Sequence, residues 1–437
     1  MKRLLIILML SVSSVMPLEA FLMQMVDGEY IPVPPNGVMR LGASGVNIPS
    51  GGFTIASPGK FIIDSAQPTA FAAGVTPITI TASDVELNMN GFTLTGPGTD
   101  TGAGSAGIRV DTVVNVVISN GTLELIDGVG IELIDCTSVR IEDMLCRANA
   151  THGFSIIVAG NEHCSILNCR AESNGQDGFF DAGGSSITYK SCTSYANGGS
   201  GYDLNANNHV VEDCVGNEND IFGMSVTGTS SDIIQSHFDE NSDSGVNFQS
   251  ISDFCLQDCT MNRNVGSGLV LNNAVSGSVT RCCITGNEES GVIGLNGTNN
   301  ISIFNNSVIG NVDKGITLDV STTQSCQIIS NRVVNNGNGQ GNDAFGIDIG
   351  GGPHQSSAVK NSSFTLVATT HEVFSNFAKN NGNNPAVFAS KVYTPGMDIG
   401  DTNYSNNVNQ SPETGPQPNG LVTTVASSAG TFQNITT

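Results

Sequence analysis

Three residues in one stretch have types that sugar chemistry uses: Asp181, Lys190 and Asp203, within "GFFDAGGSSITYKSCTSYANGGSGYDLNANNH" (178–209). Hydrolysis of a glycosidic bond needs two carboxyl groups about 5–10 Å apart. Elimination or epimerisation at a uronate needs a base, for which Lys190 qualifies, and often a Ca²⁺ held by carboxylates to acidify the α-proton. The same stretch concentrates aromatic residues in a chain with no Trp and six Tyr. Phe180, Tyr189 and Tyr202, with the polar Asn205 and His209, form a candidate sugar-binding set, since rings beside polar groups suit stacking against a pyranose. The competing reading is an aromatic rung of the core with a local bulge that exposes Asp181. His152 and His163 fall on the neighbouring turn.

The elements that must carry these residues come from a repeat. Glycines opening an apolar-x-apolar triplet stand at Gly107, Gly130, Gly153, Gly178, Gly201, Gly223, Gly245, Gly268, Gly291 and Gly315, spaced by 22 to 25 residues, with Gly346 a further 31 on. Units of this size cannot bury a core alone, so they must stack. Alternation after each glycine (Ile131/Leu133, Phe179/Asp181, Val246/Phe248) predicts a strand with one inward face. Asp181 holds an inward position in that pattern. Asn149, Asn174, Asn197, Asn219, Asn241, Asn264, Asn287 and Asn311 each precede their glycine by four, which predicts an amide ladder inside the coil. A second file runs Cys169, Cys192, Cys214, Ser236, Cys259, Cys282, Asn306. Either a packed stack of thiols or disulfides between adjacent coils satisfies that file. The Cys164/Cys169 and Cys255/Cys259 spacings resemble zinc sites only superficially, because the repeat accounts for the second cysteine of each pair.

Charge bounds the partners. Charged residues are 13% of the chain, and the net charge is −23. Such a surface repels nucleic acid and anionic lipid, which need concentrated Lys and Arg. Extracellular polysaccharide or a cell-surface glycan remains as a partner, with a cation needed to bridge any polyanionic sugar. Met1-Lys2-Arg3, the apolar run from Leu4 to Leu10 and small residues ending near Ala20 read as a signal peptide over 1–20. No later stretch is apolar for the roughly 18 residues of a membrane helix. The expected location is therefore secreted, periplasmic or cell-surface.

"SPGKFIID" (57–64), "ITITASDVELNMNGFTLTG" (78–96) and "VVNVVISNGTLELIDGVGIEL" (113–133), with the repeat that follows, resemble the right-handed parallel β-helix proteins of the pectate-lyase-like superfamily. The resemblance implies an all-β, single-stranded parallel solenoid of about eleven coils, with substrate lying along the outward face of one sheet. Arg109, Asp111 and Glu132 also fall outward there, and read as a surface ion pair. The domain plan is a signal peptide (1–20), an N-terminal cap (21–77), the repeats (78–350), and a C-terminal cap with a low-complexity tail (351–437). "HEVFSNFAKNN" (371–381) is expected to form a short helix. Polygalacturonase motifs, the Trp signature of many pectate lyases and the Asp-Pro-His pattern of alginate epimerases are absent from the sequence. The function expected is therefore an exported surface that binds glycans or host cells, with a polysaccharide lyase, hydrolase or uronate epimerase as the alternative. No metal site and no cofactor are identified, and Ca²⁺ enters only if the chain is a lyase.

Overall fold

In the computed structural model, the described residues are 37–318, apart from segments at 43–47, 66–69, 100–103 and 158–159. To these are added 326–337, 346–349 and short strands near each end, so residues 1–20 and 411–437 lie outside the described residues. The chain is an all-β, right-handed parallel solenoid of about 12 turns. No helix among the described residues is long and apolar enough to cross a membrane.

One coil shows the plan. Gly178 opens the strand Phe179–Asp181, a turn leads to Thr188–Lys190, another to Thr193–Tyr195, and Gly201 starts the next coil. Each strand pairs in parallel with its equivalent one coil on: Phe179 with Tyr202, Tyr189 with Val211, Ser194 with Gly216. The corners between strands use left-handed residues such as Ser186, Ser191 and Ala196, which turn the chain sharply within one or two positions.

The repeat glycine is explained by close approach. A Cβ built on Gly153 would sit 2.7 Å from the carbonyl oxygen of Gly178, and one on Gly178 would sit 2.8 Å from that of Gly201. Any larger residue would force neighbouring coils apart. The expected amide ladder is present and runs one rung further, to Asn336. Each Asn Nδ2 donates to the next Oδ1, from Asn149 to Asn174 at 2.9 Å through Asn311 to Asn336 at 2.8 Å. Each Oδ1 also accepts from a backbone N–H one coil before, that of Ile126 for Asn149 at 3.1 Å and that of the preceding Asn thereafter, as Asn264 does from Asn241 at 2.9 Å. The amides thus satisfy turn backbone that the core would otherwise leave unpaired.

All eleven cysteines are free thiols. Those of the second file donate to backbone carbonyls of the coil before, as Cys192 Sγ does to Ile166 at 3.2 Å. Burial pushes the Cys169 thiol up to about 12. Inside the coil, Phe154, Phe179 and Tyr202 stack at 4.8 Å centroid spacing with Tyr189 edge-on to the last two.

Three expectations change at the ends. Parallel stacking already includes Val38–Leu41 on Gly59–Ile63, so coils begin inside the segment expected to be only a cap. Residues 371–381 contain the strands His371–Phe374 and Phe377–Lys379 in place of a helix. These pair in parallel with Gln327–Ile329 and Arg332–Val334, so the coil register continues after the glycine period is lost. Stacking then extends to Thr402–Ser405 and Val408–Gln410, past the boundary drawn at 350.

Candidate functional site on the post-glycine face

The structure separates the three candidate catalytic residues. Asp181 is fully buried inside the coil, as its place in the alternation requires. Its Oδ1 accepts from the backbone N–H groups of Gly183 (3.0 Å) and Gly184 (2.6 Å). Its Oδ2 lies 3.6 Å from Nε2 of His209, which is also fully buried. Burial holds the His209 imidazole below its ordinary value, against the pull of Asp181. Lys190 projects from a different strand file and pairs with Glu212 at 2.8 Å, half its side chain in solvent. Asp203 alone of the three faces outward on the post-glycine strands.

The candidate binding residues divide in the same way. Tyr189, Tyr202 and His209 are fully buried, and Tyr202 Oη donates to the Cys192 carbonyl at 2.9 Å. Those three are core residues and cannot touch a ligand on the outer face, because each falls at an inward position of the alternation. Phe180 and Asn205 are outward and half-buried.

What does gather around Asp203 is a set drawn from two columns. Phe180 pairs across the coils with Ser155 on one side and Asp203 on the other. His152 and Asp177 occupy the turn position immediately before Gly153 and Gly178, hence adjacent coils of one file. His152 stacks on Phe180 with centroids 4.4 Å apart and planes 11° from parallel. Its Nδ1 faces the Asp177 backbone N–H at 3.3 Å and the Asp177 carboxylate at 3.2 Å. A neutral ring accepts from the first, whereas a protonated ring donates to the second. Asp177 Oδ1 also accepts from the Ser200 N–H at 2.6 Å, which fixes the carboxylate. Burial, then the Asp177 carboxylate, raises the Asp203 carboxyl to about 6; Asn205 and His152 oppose the rise.

Beyond this cluster the Asp203 column continues as Ser225, which is buried, and Asn247, and Asn205 pairs with Thr227 beside it before the register shifts at the next coil. Thr227 Oγ1 donates to Asn205 Oδ1 at 3.1 Å. Toward the N-terminus, Arg109 Nε meets Glu132 Oε2 at 2.7 Å, the surface ion pair expected from the sequence. Sequence reasoning passed over Asp177 as a site residue and gave His152 no role. The signal that finds them is their shared position one residue before the repeat glycine. Among the described residues no three His, Cys, Asp or Glu side chains gather as a metal site.

The fold and this outer face define a class, the single-stranded right-handed parallel β-helix. The family model for the right handed beta helix region matches residues 106–246 and 222–386, together more than half of the chain, and the protein belongs to that family. No curated protein sequence matches it. Similar solved structures include the A-module of the Azotobacter vinelandii mannuronan C-5 epimerase AlgE6, at 15% identity and a TM-score of 0.49, covering 87% of this chain and 90% of that one. The periplasmic alginate epimerase AlgG is 12% identical with a TM-score of 0.47, covering 78% of each chain. The Dettilon tailspike protein gp208 is 13% identical with a TM-score of 0.39, covering 80% of this chain and 60% of that one. At these identities the likeness concerns the fold.

Proposed function

We propose that the protein is an exported β-helix whose post-glycine face binds an extended glycan. The observation that carries this reading is the cluster of Phe180, His152, Asp177 and Asp203 on adjacent coils, continued by hydroxyl and amide side chains. Coils rise about 4.8 Å each, close to the length of one pyranose residue in an extended chain. Successive rungs therefore lie opposite successive sugars, each offering its own side chain. Phe180 offers a ring for stacking, and the amides beside it pair with hydroxyl groups. The reading is tested by affinity electrophoresis in gels containing polysaccharides. Phe180→Ala is expected to weaken retardation at least tenfold, and retardation unchanged by that variant would remove the face from consideration.

A second reading, cleavage or epimerisation of the bound glycan, is favoured by one feature. Asp203, raised to about 6, sits beside a second carboxylate that stays hydrogen-bonded. A carboxyl raised in this way is suited to donate a proton. In that reading Asp203 donates a proton and the Asp177–His152 pair accepts one. New reducing ends or unsaturated uronate from the wild type, lost in Asp203→Asn, would select this reading; silence across a polysaccharide panel would reject it.

A further inference from the structure

From the proposed glycan-binding face we infer the charge class of its ligand: a neutral polysaccharide, with polyuronates excluded. The inference rests on that reading and goes further by using the distribution of charge. From the coil of Gly153 to that of Gly268, the Asp203 column holds Ser155, Phe180, Asp203, Ser225, Asn247 and Val270, all uncharged or acidic. Beside it, the paired Asn205 and Thr227 are neutral as well. The turn file that borders the face adds Asp177, held by His152 and by the Ser200 N–H.

The cations of this region lie elsewhere and are engaged. Arg147, Arg170, Lys190, Arg263 and Arg281 project from the other strand files or their corners, each onto a carboxylate of its own surroundings. A uronate chain lying along the post-glycine face would set its carboxylates against Asp177 and Asp203, while the arginine of that column, Arg109, lies three coils from Phe180 toward the N-terminus and is already paired with Glu132. Like charges brought together at a desolvated contact cost enough to reject a partner. A neutral chain meets no such opposition. Its hydroxyl groups find donors and acceptors in the amides, and its apolar ring face finds Phe180. Asp203 contributes in either protonation state, because a carboxyl accepts or donates to a hydroxyl.

The test uses the full exported chain and a panel of defined probes: a neutral β-linked glucan, a neutral galactan, and polymannuronate and polygalacturonate. Each is measured by affinity electrophoresis and calorimetry at low ionic strength, in chelator and again with calcium. The expected result is binding to at least one neutral probe that salt barely alters, with polyuronate binding weaker by tenfold or more. The double variant Asp203→Asn/Asn247→Lys is expected to gain polyuronate binding by about tenfold in chelator. Should that variant fail to fold, the wild-type panel decides alone. Polyuronate as the tightest ligand in chelator, or as the sole ligand with calcium, overturns the inference and leaves glycan binding standing. Silence with every probe overturns the proposed function itself, and this inference with it.

Discussion

Asn241→Ala tests the amide ladder at its middle. In the native coil Asn241 Oδ1 accepts from the Asn219 N–H at 3.0 Å and from Asn219 Nδ2 at 3.1 Å. Its own Nδ2 donates to Asn264 Oδ1 at 3.0 Å and to the Gly216 carbonyl at 2.9 Å. Every atom involved is buried, since Asn219, Asn241 and Asn264 are each 0% exposed. Truncation to Ala therefore strands two donors of Asn219 in the core. Each stranded group costs about 1–3 kcal/mol, which gives about 2–6 kcal/mol before relaxation, and about 3 kcal/mol is the expected loss. The assay is urea unfolding followed by circular dichroism, with Asn247→Ala on the outer face as the reference. Because each repeat contacts only its neighbours, hydrogen exchange should also accelerate most at the rungs of Asn219 and Asn264. A loss within about 0.5 kcal/mol of wild type, the ordinary range for a surface substitution, would refute the reasoning. So would a loss no larger than that of Asn247→Ala, because the ladder would then add nothing beyond volume.

Three further outcomes follow from the same structure. Asp203 has a folded-state value of about 6, above its unfolded value, so the native state binds the extra proton between about pH 4 and 6. Its contribution therefore falls as pH rises through that window, and Asp203→Asn should stabilise the protein at pH 7 by about 1–2 kcal/mol, discounted for partial exposure. A melting temperature that shows no gain at pH 7, or the same gain at pH 3.5, would contradict this. At the interior position, Asp181→Asn keeps an acceptor for the Gly183 and Gly184 N–H groups and removes the charge, whereas Asp181→Leu removes both. Thermal unfolding should place Asn near or above wild type and Leu about 2 kcal/mol or more below it; the reverse order would show that the carboxylate itself is needed. Thiol labelling of the native protein should modify Cys283, which is exposed, rapidly and Cys255 slowly, while the nine buried cysteines react only on unfolding. Fast labelling of Cys192 or Cys259 by mass spectrometry would show that the file opens.

The fold was legible because the repeat states it many times over. Glycine, inward apolar pair and asparagine recur in fixed register from Asn149 to Asn311, and each recurrence has one physical cause that acts identically in every coil. The glycine avoids the next coil's carbonyl, the amide pairs with its neighbour above, and the strand alternates because side chains do. The site was legible only in part. Asp181, Tyr189, Tyr202 and His209 drew attention as polar or aromatic residues close together in sequence, yet alternation sends all four inward, and the sequence had already marked Asp181 as such. At the C-terminal end the helix expected over 371–381 proved to be coil strands, because the glycine that marks each coil is missing there.

By itself, then, the sequence determined the solenoid, its period, its asparagine and cysteine files and its acidic surface, all of which repeat along the chain or sum over it. Alternation already turned Phe180 and Asp203 outward on the post-glycine strands; the tertiary structure alone decided that His152 and Asp177 join them and that Lys190 belongs to another surface. Neighbours in a solenoid lie one coil apart, about 23 residues away in the chain and about 4.8 Å away in space. Residues ten apart within one coil face different directions, so closeness in sequence misleads and position within the period decides.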